Sequence, residues 1–370
     1  MRRPGQRLRR TIGIVVLLAI LYLLLWPLEV DPVAWEAPAN PGLTGPYAEN
    51  HRLAGMELLS IGDHEGPEDV ALDAEGRIYV PTLDGRIVRL EPDGSRPATF
   101  AETGGRPLGV EFDARGHLIV ADAFRGLVSV SPEGEVAVLA DEADGVPIAY
   151  ADDVDVAPDG KIYFSDASTK FGAEDSGHTL EASKLEILEH AGTGRLLVYD
   201  PESEKATTAL DGLTFANGVA VSPDGRFVLV NETGSYRVLR LWLEGPEAGS
   251  VETLVDALPG FPDNVSTGMD GRYWVALVSP RNDLLDGLSG APFVRKMVQR
   301  LPAFMRPDAV SYGHVVAVNG EGEVVADLQD PEGRYPMITS VTETDRFLYL
   351  GSLVAPELAR VSKSEVGLSP

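Results

Sequence analysis

Apolar and polar positions alternate along most of this chain, in short runs broken by acidic-glycine turns. The first unit runs from Asp69 to Tyr79 and turns at Gly76. Equivalent units run from Gly109 to Ile119 (turn Gly116), Asp153 to Tyr163 (Gly160) and Gly218 to Val228 (Gly225). Two more run from Asn264 to Trp274 (Gly271) and from Thr339 to Tyr349, where Arg346 takes the turn position. Period-2 alternation predicts two strands per unit, and a glycine free to adopt positive φ closes them as a hairpin. A third strand follows four of them, at Arg86–Leu90, Leu127–Val130, Leu196–Tyr199 and Val238–Leu243.

The unit starts are 40, 44, 65, 46 and 75 residues apart. A period of roughly 40–50 residues is one four-stranded propeller blade. Six units therefore predict an all-β chain, a six-bladed β-propeller that closes radially and hides its sheet edges. Residues around Met56–Ile61 are placed to supply the closing strand. The two long spacings mark insertions at 168–194 and 280–311. The first holds a helix-like stretch, Thr179 to His190. The second carries Phe293, Val294, Met297, Val298 and Leu301 at helical spacing, with Arg295, Lys296 and Arg300 on the other face. Two readings stand for it: a cap helix packed on the propeller, or an amphipathic helix touching anionic lipid.

The amino terminus breaks the pattern. Five Arg in the first ten residues precede Thr11 to Trp26, a stretch without charge. Extended through Pro27, Leu28 and Val30, it reaches the low end of a membrane span. No small-residue cleavage pattern follows, so it reads as an uncleaved signal anchor; a cleaved signal peptide is the alternative. The Arg cluster places the amino terminus in the cytoplasm and the body on the far side. The expected organisation is a basic tail and transmembrane helix over 1–30, a Pro- and Gly-rich linker over 31–50, and the propeller over 51–370.

Composition narrows the function. The formal net charge is −26, and beyond residue 30 there are 26 basic and 56 acidic residues, a net −30. Such a surface repels nucleic acid phosphates and attracts cations. With no cysteine, thiolate nucleophiles, disulfides and zinc–thiolate sites are all excluded.

In a propeller the first strand of each blade lines the central channel. Eight positions before each turn stand Glu68, Leu108, Asp152, Asn217, Asp263 and Ile338. Pseudo-symmetry brings these to one height around the axis. Three converging carboxylates need protonation or a cation. An all-oxygen set of Glu68, Asp152, Asn217 and Asp263 points to a central metal-binding channel that holds Ca²⁺, with Mg²⁺ or Mn²⁺ as rivals. The other reading is ordinary strand-end polar residues. No G-x-S-x-G, H-E-x-x-H or P-loop motif is present, and none of the six His falls on the channel register.

Several stretches carry a resemblance: Gly66-Pro-Glu-Asp69, Arg106-Pro-Leu-Gly109, Ala121-Asp-Ala123 and Ile162-Tyr-Phe-Ser-Asp-Ala-Ser168. With them go Phe215-Ala-Asn-Gly218, Pro259-Gly-Phe-Pro-Asp-Asn264, Tyr273-Trp-Val275 and Leu348-Tyr-Leu-Gly-Ser352. Through them the sequence resembles the gluconolactonase, regucalcin and strictosidine synthase-like superfamily of six-bladed propellers. The resemblance implies a calcium ion held by Glu68, Asp152, Asn217 and Asp263, with Asp152 where the family usually has Asn. It further implies that a catalytic His is replaced by Leu108, and the Glu of strictosidine synthase by Thr339. The expected activity is then hydrolysis of lactones or aryl esters, with the metal polarising the carbonyl and Asp263 as general base, not strictosidine synthesis. The alternative is a calcium-stabilised binding or scaffold propeller without turnover.

Overall fold

The computed structural model describes residues 4–369. Its contacts separate two units. The larger comprises Pro38–Ile187, Gly192–Arg281 and the chain from Ala309 onward; the smaller comprises the amino-terminal segment to Ala37, Leu188–Ala191 and Asn282–Asp308.

The larger unit is a six-bladed propeller of four-stranded antiparallel sheets. The innermost strands are Ala71–Leu72, Pro107–Phe112, Ala151–Val156, Ala216–Val221, Gly260–Thr267 and Ile338–Glu343. The expected third strands are present as Arg86–Leu90, Gly126–Val130, Gly194–Asp200 and Arg237–Trp242. The ring is closed by Glu57–Ser60, which becomes the outermost strand of the sixth blade, from Glu57 opposite Arg360 to Ser60 opposite Glu357.

The turn chemistry explains why each unit is a hairpin. Asp73 accepts the Gly76 amide on its carbonyl at 2.9 Å, and its carboxylate accepts the amides of Glu75 and Arg77 at 3.0 and 2.9 Å. That geometry puts Gly76 at φ +76°, open to glycine at little cost. Arg346 is not among the residues of positive φ; there the hairpin is closed by Thr344 donating to the Phe347 carbonyl at 2.9 Å. Between blades, outward faces meet in apolar seams. Leu59, Val80 and Tyr349 join the sixth blade to the first, and Val238, Val275 and Val316 join the fourth to the fifth. Each fully buried side chain of this size contributes about 1.5–3 kcal/mol.

Among the described residues four α-helices accompany the strands: α1 (Pro4–Leu25), α2 (Thr179–Glu189), α3 (Asp283–Gly287) and α4 (Pro292–Gln299). In the first insertion, Glu186 accepts from the hydroxyls of Ser168 and Thr193 at 2.8 and 2.6 Å. That ties the insertion back to the strand ends of blade three.

The smaller unit contains α1, α3 and α4. Leu8–Leu25 has mean hydropathy 2.2 and none of it is buried, so it is long and apolar enough to cross a membrane. Here α4 corrects the sequence reading. Arg295 and Arg300, expected on the free face, are buried, while Phe293 and Val294 are exposed. The reason is a set of carbonyls that need donors. Arg295 donates to the carbonyls of Leu188, Ser289 and Val33. Arg300 donates from Nε to Trp26 at 2.7 Å and from Nη1 to Leu23 at 2.9 Å. Hydrogen bonding to backbone outweighs apolar burial in orienting this short helix.

Candidate metal centre

Five of the six innermost strands carry the same irregularity, in four of them at the predicted position and in blade six one residue later, Ile338 staying paired with Ser352. Pairing with the second strand slips between Pro107 and Val110, Ala151 and Val154, Ala216 and Val219, Pro262 and Val265, and Ile338 and Val341. The slip frees two consecutive residues from the ladder, as a bulge does. These doublets are Leu108-Gly109, Asp152-Asp153, Asn217-Gly218, Asp263-Asn264 and Thr339-Ser340; Glu68-Asp69 precedes the short first strand.

Three second members, Asp69, Asp153 and Ser340, fasten blade to blade. Asp69 accepts the Val110 amide at 2.9 Å, and Asp153 accepts the Val219 amide at 2.7 Å. Thr339 and Ser340 donate to the Glu68 carbonyl at 2.5 and 3.0 Å, across the closing seam. Gly218 is required by this approach: a Cβ there would stand 2.2 Å from the Val265 amide nitrogen.

Three of the second strands end in an acid that fixes the neighbouring strand start. Asp122 accepts the Arg106 amide at 2.9 Å, Asp166 the Tyr150 amide at 2.9 Å, and Glu232 the Thr214 amide at 2.9 Å. Asp166 is itself held by the buried Arg195 at 2.9 Å. Leu108, Asp152 and Asn217 are thus positioned by backbone contacts two or three residues upstream.

Four of the six first members are Glu68, Asp152, Asn217 and Asp263, none more than 8% exposed. Asn217 Nδ2 donates to Asp263 Oδ1 at 2.8 Å, and Asn231 Nδ2 donates to the Asp263 carbonyl at 2.6 Å. Glu68 Oε2, Asp152 Oδ2 and Asn217 Oδ1 are buried without any partner. Buried acceptors left unmatched cost about 1–3 kcal/mol each, more when charged. Burial pushes the Glu68 carboxyl well up, and the carboxylates of Asp263 and Asp152 push it further. Burial and Asp263 do the same to Asp152. Asp263 is pushed up to about 7 by burial, against the Asn217 hydrogen bond.

Sequence reading missed Arg106 and Tyr150. Arg106 is buried, with Nε and Nη2 unpartnered, and its charge favours the ionised forms of Glu68 and Asp152. Burial pushes its own pKa down, and Tyr150 is pushed up by burial and the same carboxylates. The one available signal was a basic residue two positions before the channel register in an acidic chain.

Three carboxylates against one guanidinium leave two negative charges, the charge of one divalent cation. The donor set therefore fits a hard divalent ion. Among the described residues no group of three or more His, Cys, Asp or Glu side chains forms a metal-holding cluster, Glu68, Asp152 and Asp263 included. Next along the channel lies a polar cavity of about 110 Å³, lined in part by Asp69, Glu111, Asp153, Asp155 and Asn264.

Comparison with known proteins agrees with this architecture. Residues 152–246 match the strictosidine synthase family model, and residues 45–90 match the strictosidine synthase-like amino-terminal model. The adipocyte plasma membrane-associated protein of Salmo salar is 33% identical over 95% of this chain and 88% of its own length. A strictosidine synthase-like protein of Arabidopsis thaliana is 35% identical over 82% of this chain and 86% of its own. Among solved structures, a gluconolactonase of Xanthomonas campestris superposes with TM-score 0.61 at 18% identity, covering 89% of this chain and 99% of its own. The calcium-binding protein regucalcin of Agrobacterium tumefaciens superposes with TM-score 0.57 at 14% identity, over 83% and 93%. The chain belongs to the strictosidine synthase-like family of β-propellers, alongside the adipocyte plasma membrane-associated proteins.

Proposed function

We propose that this protein is a membrane-anchored hydrolase of lactones or aryl esters that depends on a divalent cation, most suitably calcium. The observation that carries the reading is the set of buried, unpartnered oxygens on Glu68, Asp152 and Asn217, with Asp263 hydrogen-bonded beside them. Glu68, Asp152, Asn217 and Asp263 would hold the ion, and Arg106 offsets the third carboxylate. When bound, a divalent cation supplies polarisation of the substrate carbonyl and stabilises the charge that develops on its oxygen. Asp263 takes the proton from the attacking water. The bulges hold these side chains in place, so no folding step is needed at the moment of reaction.

The test is turnover of a lactone and aryl-ester panel by the purified full-length protein, with its melting temperature followed alongside. Both are expected to fall on chelation and to recover with calcium. A cation present at one hundred times its Kd stabilises the fold by about 2.7 kcal/mol. Turnover that survives complete chelation overturns the metal-dependent reading. The deep burial of all four side chains also suits a second reading, a calcium-stabilised scaffold; calcium binding without any turnover would select it.

The anchor reading rests on α1 and its flanking arginines; with basic residues kept on the cytoplasmic side, the amino terminus would lie in the cytoplasm and the propeller outside it. Amino-terminal sequencing of membrane-extracted protein is expected to begin ahead of Thr11. A start near residue 30 would show cleavage instead.

A further inference from the structure

In the smaller unit Arg295 and Arg300 are turned inward while several apolar side chains face out. Arg295 is spent on three carbonyls, and Lys296 pairs with Asp31 at 3.0 Å. Arg300 takes the carbonyls of Leu23 and Trp26, at the end of α1. The exposed side chains of this unit include Phe293 at 56% exposure, Phe304 at 87% and Met305 at 55%, with Val294 and Trp26. Apolar side chains this open, grouped on one short segment, mark a surface that meets something other than water.

The hydrogen bonds of Arg300 decide what that is. The last carbonyls of a helix have no partner within it, and in hydrocarbon or at its edge they must be satisfied by protein. The guanidinium that meets this need belongs to α4. The segment carrying Phe293, Phe304 and Met305 is therefore fastened to the point where the apolar helix ends. A protein-binding face would be expected to keep a polar rim; here Arg295 and Arg300 are turned inward and Lys296 is paired, and the exposed acids Asp283 and Asp308 lie at the two ends of the segment.

We propose that residues 282–308 form an interfacial foot, with Phe293, Val294, Phe304 and Met305 inserted at the headgroup–acyl boundary of the leaflet in which α1 ends. The occupant is the lipid surface itself. Insertion of this kind draws its strength from buried apolar area. The proposal rests on α1 being a membrane anchor, so the experiment must separate the two.

The chain has no cysteine, so single nitroxide labels are clean. Full-length protein carrying Phe304→Cys, Leu18→Cys or Glu133→Cys is labelled and placed in nanodiscs of phosphatidylcholine and phosphatidylglycerol. All three positions are exposed, so none of the changes removes core packing. The reading is accessibility to oxygen, which partitions into lipid, relative to a water-soluble nickel chelate. Leu18→Cys and Phe304→Cys are each expected to give a ratio several-fold above Glu133→Cys. If Leu18→Cys is lipid-exposed while Phe304→Cys matches Glu133→Cys, the foot is overturned and the anchor stands. If Leu18→Cys also matches Glu133→Cys, the anchor fails and the foot with it. Dipolar broadening at Phe304→Cys, with shielding from both reagents, would assign the face to a second copy and overturn the lipid assignment.

Discussion

Asp263→Asn is expected to lose about 10²–10⁴-fold in turnover, the range for general base catalysis, while keeping its cation-dependent rise in melting temperature. The substitution preserves size. It also preserves an oxygen that can accept the 2.8 Å hydrogen bond from Asn217 Nδ2 and face the ion. What it removes is the site that receives the proton. Asn217→Ala should act differently. It deletes an unpartnered buried oxygen and the donor that orients Asp263, so cation binding weakens first and added calcium restores part of the rate. Metal occupancy must be measured beside rate, because loss of the ion imitates loss of the base. An Asp263→Asn variant that turns over like the parent removes Asp263 from the base role.

The largest effect on stability is expected at Glu343, at the end of the innermost strand of blade six. Its carboxylate is buried and accepts from Trp274 Nε1 at 2.8 Å and the Met269 amide at 3.0 Å. It also pairs with Arg272 Nε at 3.1 Å and with the buried Lys363 Nζ at 2.9 Å. Glu343→Gln retains the bulk and an oxygen for Trp274 but leaves the buried Lys363 without its carboxylate and Arg272 with only the exposed Asp270. Removing one partner of a buried pair costs about 3–5 kcal/mol, to be read from the denaturation midpoint at pH 7. The hydrogen bonds and neighbouring cations hold the Glu343 carboxyl below its ordinary value, against the opposing effect of burial. A lowered folded-state pKa means that this stability is present in full above the unfolded-state pKa, near 4.3 for Glu. It is lost as pH falls through the lower folded value. The gap between parent and variant should therefore narrow below about pH 4. Equal midpoints at pH 7 would show that Glu343 does not hold this seam.

Much of the propeller was legible because its signal is repeated. Six alternating units with acidic-glycine turns fix hairpins, and hairpins at blade spacing leave few arrangements that hide their edges. The channel register of Glu68, Asp152, Asn217 and Asp263 followed from the same repeat, since equal offsets from equal turns end at equal heights. The second members of the doublets, Asp69 and Asp153, were not foreseen as blade fasteners. Nothing in a linear pattern says that a bulge will turn two consecutive side chains to different tasks. Arg106 was hidden because a lone arginine reads as surface until its surroundings are known. The orientation of α4 was inverted for a related reason. Periodicity scores side-chain hydrophobicity, whereas here the unmet carbonyls of Leu23, Trp26 and Leu188 claim Arg300 and Arg295.

The closing strand has a consequence in time. Glu57 and Arg360 pair across 303 residues of chain. At roughly 5–20 residues per second of synthesis, Glu57–Ser60 waits on the order of 15–60 s for the partner that completes its sheet. Bringing such distant ends together costs on the order of 5 kcal/mol in chain entropy, a cost met only when the last blade arrives. Until then the nascent protein carries an unpaired strand at one end and an open blade edge at the other. Its exposure to mispairing is set by the speed of its own synthesis.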